Sequence, residues 1–249
     1  KWCDIVIVTG ASSGIGAATA IGFAKEGATV AIVGRNEEKL QSVAGEIEKI
    51  GVKFLVIKAD ISEDDGAKRV IEEVINKFGK LDVLVNNAGL IKFGSILDSK
   101  LVSAFDSVIK VNVRAHINIS TLAAPHLIKT KGNIVNVSSV AGKRIHTTRM
   151  SAYCISKAAL NHFSRCAASE LAGKGVRVNT VSPGPVGTDI LRNAGLGAAK
   201  VEDHFTDMPL GRISDPVEVA DVIIFLASSK AKGITGSEYI VDNGACIKN

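Results

Sequence analysis

The sequence predicts a doubly wound α/β fold, with a central parallel sheet of seven strands and helices on both faces. Short β-branched runs alternate with segments of helical periodicity along the whole chain, the pattern of repeated βαβ units. Of the 249 residues 46% are hydrophobic but only 4% are aromatic. A core of Ala, Val, Ile and Leu suits parallel strands that are buried on both faces. With no linker, repeat or low-complexity stretch, one domain over residues 1–249 is expected.

The elements are expected in a regular order. Strands are predicted at Ile5–Val8, Thr29–Val33, Phe54–Lys58, Val83–Val85, Asn133–Val137, Arg177–Val181 and Glu238–Val241. Helices are predicted at Gly16–Glu26, Glu37–Ile50, Gly66–Phe78, Leu101–Ala124, Tyr153–Leu171 and Pro216–Leu226. After Pro183 the periodicity gives way to Gly, Pro and mixed apolar residues, which predicts an irregular flap over about residues 185–210.

Composition and charge exclude several classes of protein. The net charge is +5 and its Lys and Arg residues are scattered, which excludes a nucleic-acid tract or a basic amphipathic arm. This mild excess of positive charge would attract an anionic cofactor, or the charged residues would simply form an ordinary solvated surface. The four cysteines show no metal-ligand spacing, so no metal site and reduced thiols in a cytoplasmic protein are expected. No apolar run is long enough to span a membrane, and the first strand begins too early to leave room for a signal peptide.

A glycine-rich turn joins the first strand to the first helix. It reads Thr-Gly-Ala-Ser-Ser-Gly-Ile-Gly over residues 9–16. In such a turn the first Gly permits the tight bend, the second lets the backbone approach a pyrophosphate, and the third allows close helix packing. The helix N-terminus offers free N–H groups to the phosphates. The turn therefore predicts a dinucleotide site, against the alternative of a purely structural turn, at Gly10, Ser12, Ser13, Gly14, Ile15 and Gly16.

The end of the second strand indicates which dinucleotide binds. An acidic residue there usually binds a ribose 2′-hydroxyl, but this chain has Arg35 and Asn36 after Gly34. A guanidinium binds a 2′-phosphate through charge-assisted hydrogen bonds. NADP(H) is therefore favoured over NAD(H), although Arg35 at the end of a strand could also be merely solvated.

Tyr153 and Lys157 are the candidate reacting residues. Their spacing puts both side chains on one face of a helix. A nearby ammonium favours the phenolate and would bring the pKa of a Tyr toward the working range. Ser139 follows a strand, where its hydroxyl could hold a substrate oxygen. A Tyr and a Lys at this spacing also occur by chance in many helices, so the pair alone does not establish a site.

The combination of motifs resembles the classical short-chain dehydrogenase/reductase family, from about Ile5 to Gly244. The resemblance rests on the glycine turn, Asn-Asn-Ala-Gly at 86–89, Asn112, the two serines at 138–139, the Tyr-x-x-x-Lys pair and Pro183-Gly184. It implies a Rossmann fold and an oxidoreductase, similar both to 3-oxoacyl-[acyl-carrier-protein] reductases and to carbonyl or steroid reductases.

The resemblance also implies a role for each matching residue. Tyr153 would give its proton to the carbonyl oxygen, which Ser139 would hold by a hydrogen bond. Lys157 would bind the nicotinamide ribose and lower the pKa of Tyr153, and Asn112 would hold a water that links Lys157 to solvent. Further contacts to the dinucleotide are implied for Asp60, Ile61, Asn87, Ala88, Gly89, Pro183, Gly184, Val186 and Thr188.

Two details depart from the usual family pattern. Ser139 and Tyr153 are one residue further apart than is common, which an added loop residue within 143–151 would absorb. Ser138 is the alternative to Ser139, but strand alternation should turn it away. Asp242-Asn243-Gly244 stands where many relatives have Asp-Gly-Gly.

The substrate is less well defined by the sequence. Candidate contacts are His146, Ile190, Leu191 and Phe205, beside Ser139. Apolar flap residues favour a largely apolar ketone, steroid or acyl chain, or else pack against a neighbouring subunit. The basic residues of 143–149 would receive an anionic acyl-carrier thioester or be ordinary solvated charges. The alternatives are thus a 3-oxoacyl-thioester reductase and a non-catalytic dinucleotide sensor, and the resemblance implies a homotetramer or homodimer.

Overall fold

A single parallel sheet forms the centre of the molecule. The computed structural model describes residues 4–145, 148–195 and 208–247. Its strands are β1 (Ile5–Thr9), β2 (Thr29–Gly34), β3 (Phe54–Lys58), β4 (Val83–Asn86), β5 (Asn133–Val137), β6 (Arg177–Pro183) and β7 (Glu238–Val241). Their order across the sheet is β3-β2-β1-β4-β5-β6-β7, which confirms the predicted seven-stranded, doubly wound Rossmann fold. The order reverses between β1 and β4, and folds of this kind bind ligands at the carboxyl ends of the strands beside such a point.

Helices cover both faces of the sheet. One layer contains α1 (Gly14–Lys25), α2 (Glu37–Ile50) and α8 (Pro216–Ala227), and the other contains α3 (Asp64–Phe78), α5 (Ala115–Thr130) and α6 (Ser151–Ala172). Because successive strand side chains point to opposite faces, Val6 and Val8 of β1 join the first core and Ile5 and Ile7 join the second. Among the described residues, the buried members of both cores are aliphatic apart from Phe23 and the small alanines, as the composition predicted.

The helix predicted over Leu101–Ala124 is interrupted and longer. It is divided into α4 (Leu101–Ile109), a π-helical turn (Lys110–Arg114) and α5, which continues to Thr130 with Pro125 inside it. A π turn shifts the phase of the helical pattern only once, over five residues, and the pattern on either side stays helical, so periodicity did not reveal it. The other helices were predicted to within a few residues at each end; α1, for example, begins at Gly14 and not at Gly16.

The flap region is partly described. After β6 the chain contains a short helix, α7 (Ile190–Asn193), whereas residues 196–207 lie outside the described part. The chain then enters α8 through a capping box between Asp215 and Glu218, with Pro216 at the start of the helix. None of the helices in the described ranges has the length and apolar character that crossing a membrane requires.

Candidate active site

A cleft of about 530 Å³ lies at the carboxyl ends of the central strands. Most of the residues predicted for the site line it: Gly10, Ser12, Ser13, Gly14, Ile15, Arg35, Asn36, Asp60, Ile61, Asn87, Ala88, Gly89, Ser139, Tyr153, Lys157, Pro183, Gly184, Val186, Thr188, Ile190 and Leu191. Gly16 and Asn112 are not among the lining residues, and His146 and Phe205 lie outside the described residues. In the described ranges no group of three His, Cys, Asp or Glu side chains is arranged to hold a metal ion.

The glycine turn forms one wall of the cleft. Gly14 has a φ of 55°, in the left-handed region. A Cβ at Gly16 would lie 2.2 Å from the carbonyl oxygen of Gly10 and 2.4 Å from Asn87 Nδ2, so only glycine lets the helix approach this closely. Ser13 precedes α1 in an extended conformation, and its side chain makes no capping hydrogen bond. The first N–H groups of α1 therefore remain available to an anion, with the positive end of the helix dipole behind them.

Arg35 and Asp60 lie at the end of the cleft formed by β2 and β3. The Arg35 Nη1 atom lies 3.6 Å from Asp60 Oδ2, and the Arg35 side chain is 68% exposed. Burial alone would raise the pKa of Asp60. Hydrogen bonds from the hydroxyl and amide of Ser62, together with the charges of Arg35 and Lys110, outweigh it and lower that pKa. Asp60 is thus an anion whose orientation is fixed by Ser62, while the guanidinium of Arg35 stays accessible.

Sequence reasoning missed Lys39, which also lines this part of the cleft. The side chain of Asn36 caps α2 by accepting a hydrogen bond of 2.9 Å from the Lys39 amide. The Lys39 ammonium forms an ion pair of 2.7 Å with Asp189, directly after Thr188. The contact joins the first turn of α2 to the beginning of the flap. The position of Lys39, a basic residue in the first turn of α2 and four residues after Arg35, could have indicated that it lines the cleft.

The turn at 86–89 lies between the glycine turn and the candidate reacting residues. Asn87 Nδ2 donates to the carbonyl oxygens of Thr9 at 2.9 Å and Gly10 at 3.2 Å. The amides of Asn87 and Ala88 both donate to Thr9 Oγ1. These bonds fix the turn against the end of β1.

Ser139, Tyr153 and Lys157 meet on the opposite wall. Tyr153 and Lys157 lie one turn apart on α6, and the Lys157 Nζ atom lies 5.6 Å from the centre of the Tyr153 ring. Ser139 follows β5 and lines the cleft. Ser138 is buried and donates to the carbonyl of Lys157 at 3.1 Å, away from the cleft. The longer loop before Tyr153 contains Arg149 at a φ of 70°, and both Ser139 and Tyr153 still reach the cleft.

The pKa values of Tyr153 and Lys157 differ from the expectation. Burial raises the pKa of Tyr153 to about 12, although the hydrogen bond with Ser139 works in the opposite direction. Burial lowers the pKa of Lys157 to about 8. The expected lowering of the Tyr153 pKa by Lys157 is not found, because the Lys157 ammonium is directed to the carbonyl of Val137 at 2.9 Å and burial dominates at Tyr153.

Asn112 lies in the π turn, fully buried behind the cleft. Its amide hydrogens donate to the carbonyl of Leu90 at 2.9 Å and to Ser156 Oγ at 3.1 Å, and its Oδ1 accepts from the amide of Leu90 at 2.9 Å. Because both amide hydrogens are used, a water between Asn112 and Lys157 would have to bind to an oxygen of Asn112.

The end of the cleft beside Tyr153 is apolar. Ile91, Tyr153 and Leu191 form a small buried cluster, against which Phe93 and Ile190 pack. The flap residues Ile190 and Leu191 thus pack against the body of the chain at the mouth of the cleft.

The basic residues of the neighbouring loop have partners within the chain. Lys143 pairs with Glu238 at 3.0 Å, and Arg149 pairs with Asp98 at 3.4 Å. Arg144 donates to the carbonyl of Ala245. These contacts favour a structural role for the basic loop over the reception of an anionic substrate.

Known proteins show the same pattern over nearly the whole chain. The family described as Enoyl-(Acyl carrier protein) reductase matches residues 10–246. The chain is 38% identical to a 3-oxoacyl-[acyl-carrier-protein] reductase of Thermotoga maritima, over 98% of each chain. It is 36% identical to a 2,5-dichloro-2,5-cyclohexadiene-1,4-diol dehydrogenase of Sphingobium indicum, over 96% of this chain and 95% of that one.

A solved structure is similar to this chain in both sequence and fold. A short-chain dehydrogenase of Burkholderia cenocepacia, solved in complex with NADP, superposes with a TM-score of 0.88 at 36% identity, over 97% of each chain. The chain therefore belongs to the classical short-chain dehydrogenase/reductase family of oxidoreductases, which bind a nicotinamide dinucleotide and act on CH–OH groups.

Proposed function

We propose that this protein is an NADP(H)-dependent oxidoreductase that transfers a hydride between the nicotinamide and the carbonyl or alcohol of a largely apolar substrate. One observation carries the proposal: Ser139, Tyr153 and Lys157 line the same cleft as the uncapped N-terminus of α1. One wall thus suits the phosphates of a dinucleotide, and the other presents a hydroxyl acid to a carbonyl oxygen.

The cleft fits a dinucleotide beside Lys157. A Cβ at Gly89 would lie 3.4 Å from Asn112 Oδ1 and 3.7 Å from Lys157 Nζ, so glycine keeps the space over the ammonium open. Lys157 gives one hydrogen to Val137, and its remaining hydrogens meet no other acceptor among the described residues, so they can bind ribose hydroxyls. The bound dinucleotide supplies the hydride in reduction and accepts it in oxidation.

The side chains then handle the oxygen and the proton. Tyr153 donates its hydroxyl proton to the carbonyl oxygen, and its raised pKa keeps that proton in place until an oxyanion develops beside it. Ser139 holds the same oxygen by a hydrogen bond. Lys157 orients the cofactor against Tyr153, and Asn112, through one of its oxygens, holds the water that resupplies the proton.

The preference for NADP(H) rests on Arg35. Its guanidinium is largely exposed at the carboxyl end of β2, where a carboxylate would select the 2′-hydroxyl of NAD(H). Asp60 is held by Ser62 and paired with the guanidinium, so it does not replace that carboxylate. The similarity to a dehydrogenase solved with NADP supports the same choice.

The test compares two tyrosine variants in an NADPH-oxidation assay over steroids, diketones, quinones and aliphatic ketones. The chain has two tyrosines, so Tyr239→Phe is a matched control for Tyr153→Phe. Turnover should fall at least about a thousandfold in Tyr153→Phe, as when general acid catalysis is lost, and should persist in Tyr239→Phe. Dinucleotide binding should remain measurable in both. Unchanged turnover in Tyr153→Phe would refute the mechanism.

A 3-oxoacyl-thioester reductase is the second candidate. It is supported by the similarity to the Thermotoga maritima reductase over almost the full chain. Including an acetoacetyl thioester in the panel separates the two candidates. Activity on the thioester without activity on free ketones would favour the second candidate, and the reverse would favour the first.

We also propose a homotetramer or homodimer, assembled through α4–α5 and α6. Large apolar side chains are exposed on these helices at Val102, Ile117 and Ile155. Light scattering of the purified protein measures the assembly, and a monomer at micromolar concentration would exclude it.

A further inference from the structure

His116 is fully buried in the first turn of α5, one turn beyond Asn112. We propose that it is a positioning residue, which sets the orientation of the Ala88–Gly89 peptide and so the affinity of the cleft for its dinucleotide. The inference rests on the proposed function, since it assigns a role in the same site.

The hydrogen bond of His116 defines its tautomer. Its Nε2 atom lies 2.7 Å from the carbonyl oxygen of Ala88, and since a carbonyl only accepts, Nε2 must carry the hydrogen. The Nδ1 atom then carries the lone pair and is buried without a hydrogen-bond partner among the described residues. Burial and the nearby charge of Lys157 lower the pKa of His116 to about 3. His116 is thus a neutral donor with a fixed direction.

This bond orients a peptide that lines the cleft. The C=O and N–H of a trans peptide point in opposite directions, and the structure contains no cis peptide among the residues that it describes. Since the carbonyl of Ala88 points to α5, the N–H of Gly89 points to the other side, where Ala88 and Gly89 line the cleft. A Cβ at Gly89 would lie 3.4 Å from Asn112 Oδ1 and 3.7 Å from Lys157 Nζ, so a rotated peptide would change the space above the ammonium.

The turn is held from a second side by β1. Thr9 Oγ1 accepts from the amides of Asn87 at 2.9 Å and Ala88 at 3.1 Å, and donates to the carbonyl of Val85. These bonds fix the amides of the turn but leave the Ala88 carbonyl without a restraint from β1. His116 supplies that restraint from α5, so removing its donor should release the peptide on the cofactor side.

The test measures NADPH binding by the fluorescence of the bound nucleotide, and turnover at saturating NADPH, in three variants. His116→Gln keeps an N–H at the required reach, His116→Asn is one methylene shorter, and His116→Leu has no donor. The Leu and Asn variants should bind NADPH about tenfold more weakly, the size expected for one buried hydrogen bond. The Gln variant should stay within about twofold of the unmodified protein, and turnover at saturation should change less than binding.

Ile119→Val is the control for a loss of packing alone. Ile119 is fully buried on the same helix, in the core formed with α3 and α6. If His116→Leu lowers the melting temperature as Ile119→Val does and binds NADPH normally, the proposed role is refuted. If the Leu variant does not fold, equal NADPH affinity in the Gln and Asn variants refutes it as well. An unmodified protein that binds no dinucleotide would instead refute the proposed function, and this inference with it.

Discussion

Replacing Lys157 with Met should stabilise the protein at neutral pH while it abolishes turnover. Lys157 is only 3% exposed, and burial lowers its pKa from 10.5 to about 8. A pKa lowered this far corresponds to roughly 3 kcal/mol by which the charged ammonium disfavours the folded state at neutral pH. The lost hydrogen bond to Val137 offsets about 1–1.5 kcal/mol of that gain. A net increase of about 2 kcal/mol in the free energy of unfolding is therefore expected at pH 7.

The difference in stability between Lys157→Met and the unmodified protein should depend on pH. Between pH 8 and 10.5 the unfolded chain keeps a proton on Lys157 that the folded protein has released. The stability of the unmodified protein therefore rises with pH in this window, whereas Met at this position does not titrate. The advantage of the Lys157→Met variant should fall from about 2 kcal/mol at pH 7 to slightly below zero at pH 10, because most of the penalty of the buried charge has then disappeared while the lost hydrogen bond to Val137 remains.

Urea unfolding at pH 7 and pH 10 measures both quantities. Lys230→Met is the matched control, because Lys230 is exposed and its replacement should change stability by less than about 0.5 kcal/mol at either pH. Titrations common to all three proteins cancel in the differences. A Lys157→Met variant that is less stable than the unmodified protein at pH 7, or whose advantage is the same at both values, would refute the reasoning.

Two further predictions concern the glycine turn and Arg35, which line the cleft. Gly16→Ala would place a Cβ 2.2 Å from the Gly10 carbonyl, so it should lower stability by about 1–3 kcal/mol and weaken dinucleotide binding. Gly45→Ala, at a helical position with nothing within 4 Å of the added Cβ, should raise stability by about 0.5–1 kcal/mol; thermal unfolding of the pair measures the contrast. Arg35→Asp should lower the ratio of the activity with NADPH to the activity with NADH by at least about tenfold, the size expected for the loss of a charge-assisted hydrogen bond. An unchanged ratio in steady-state assays would show that Arg35 does not bind the 2′-phosphate of NADP(H).

The sequence predicted the sheet well, for a physical reason. Parallel strands that are buried on both faces must be apolar runs, so β1 and β2 were visible within one residue of their ends. The glycine turn was equally visible, because only glycine tolerates the contacts found at Gly16.

The features that depend on contacts distant in the sequence could not be predicted in this way. The direction of the Lys157 ammonium toward Val137 depends on how α6 packs against β5. The role of Asn36 as a helix cap and the ion pair between Lys39 and Asp189 depend on how α2 begins beside the flap. His116 carried no motif, and only the fold brings it to the Ala88 carbonyl.

The strand order has a consequence for folding during synthesis on the ribosome. β1 is made first, yet one of its two neighbours, β4, begins only at Val83, and the Asp82 carboxylate accepts the amide of Ile5 across that distance. The cleft also needs β5, α6 and the segment after β6, so it is completed only after residues up to about Asn193 have been synthesised. Non-local pairing of this kind is slow, and an unpaired edge of β1 is exposed to aggregation in the meantime. Dinucleotide present during synthesis would thus have nothing to bind until late, and could stabilise only the nearly finished chain.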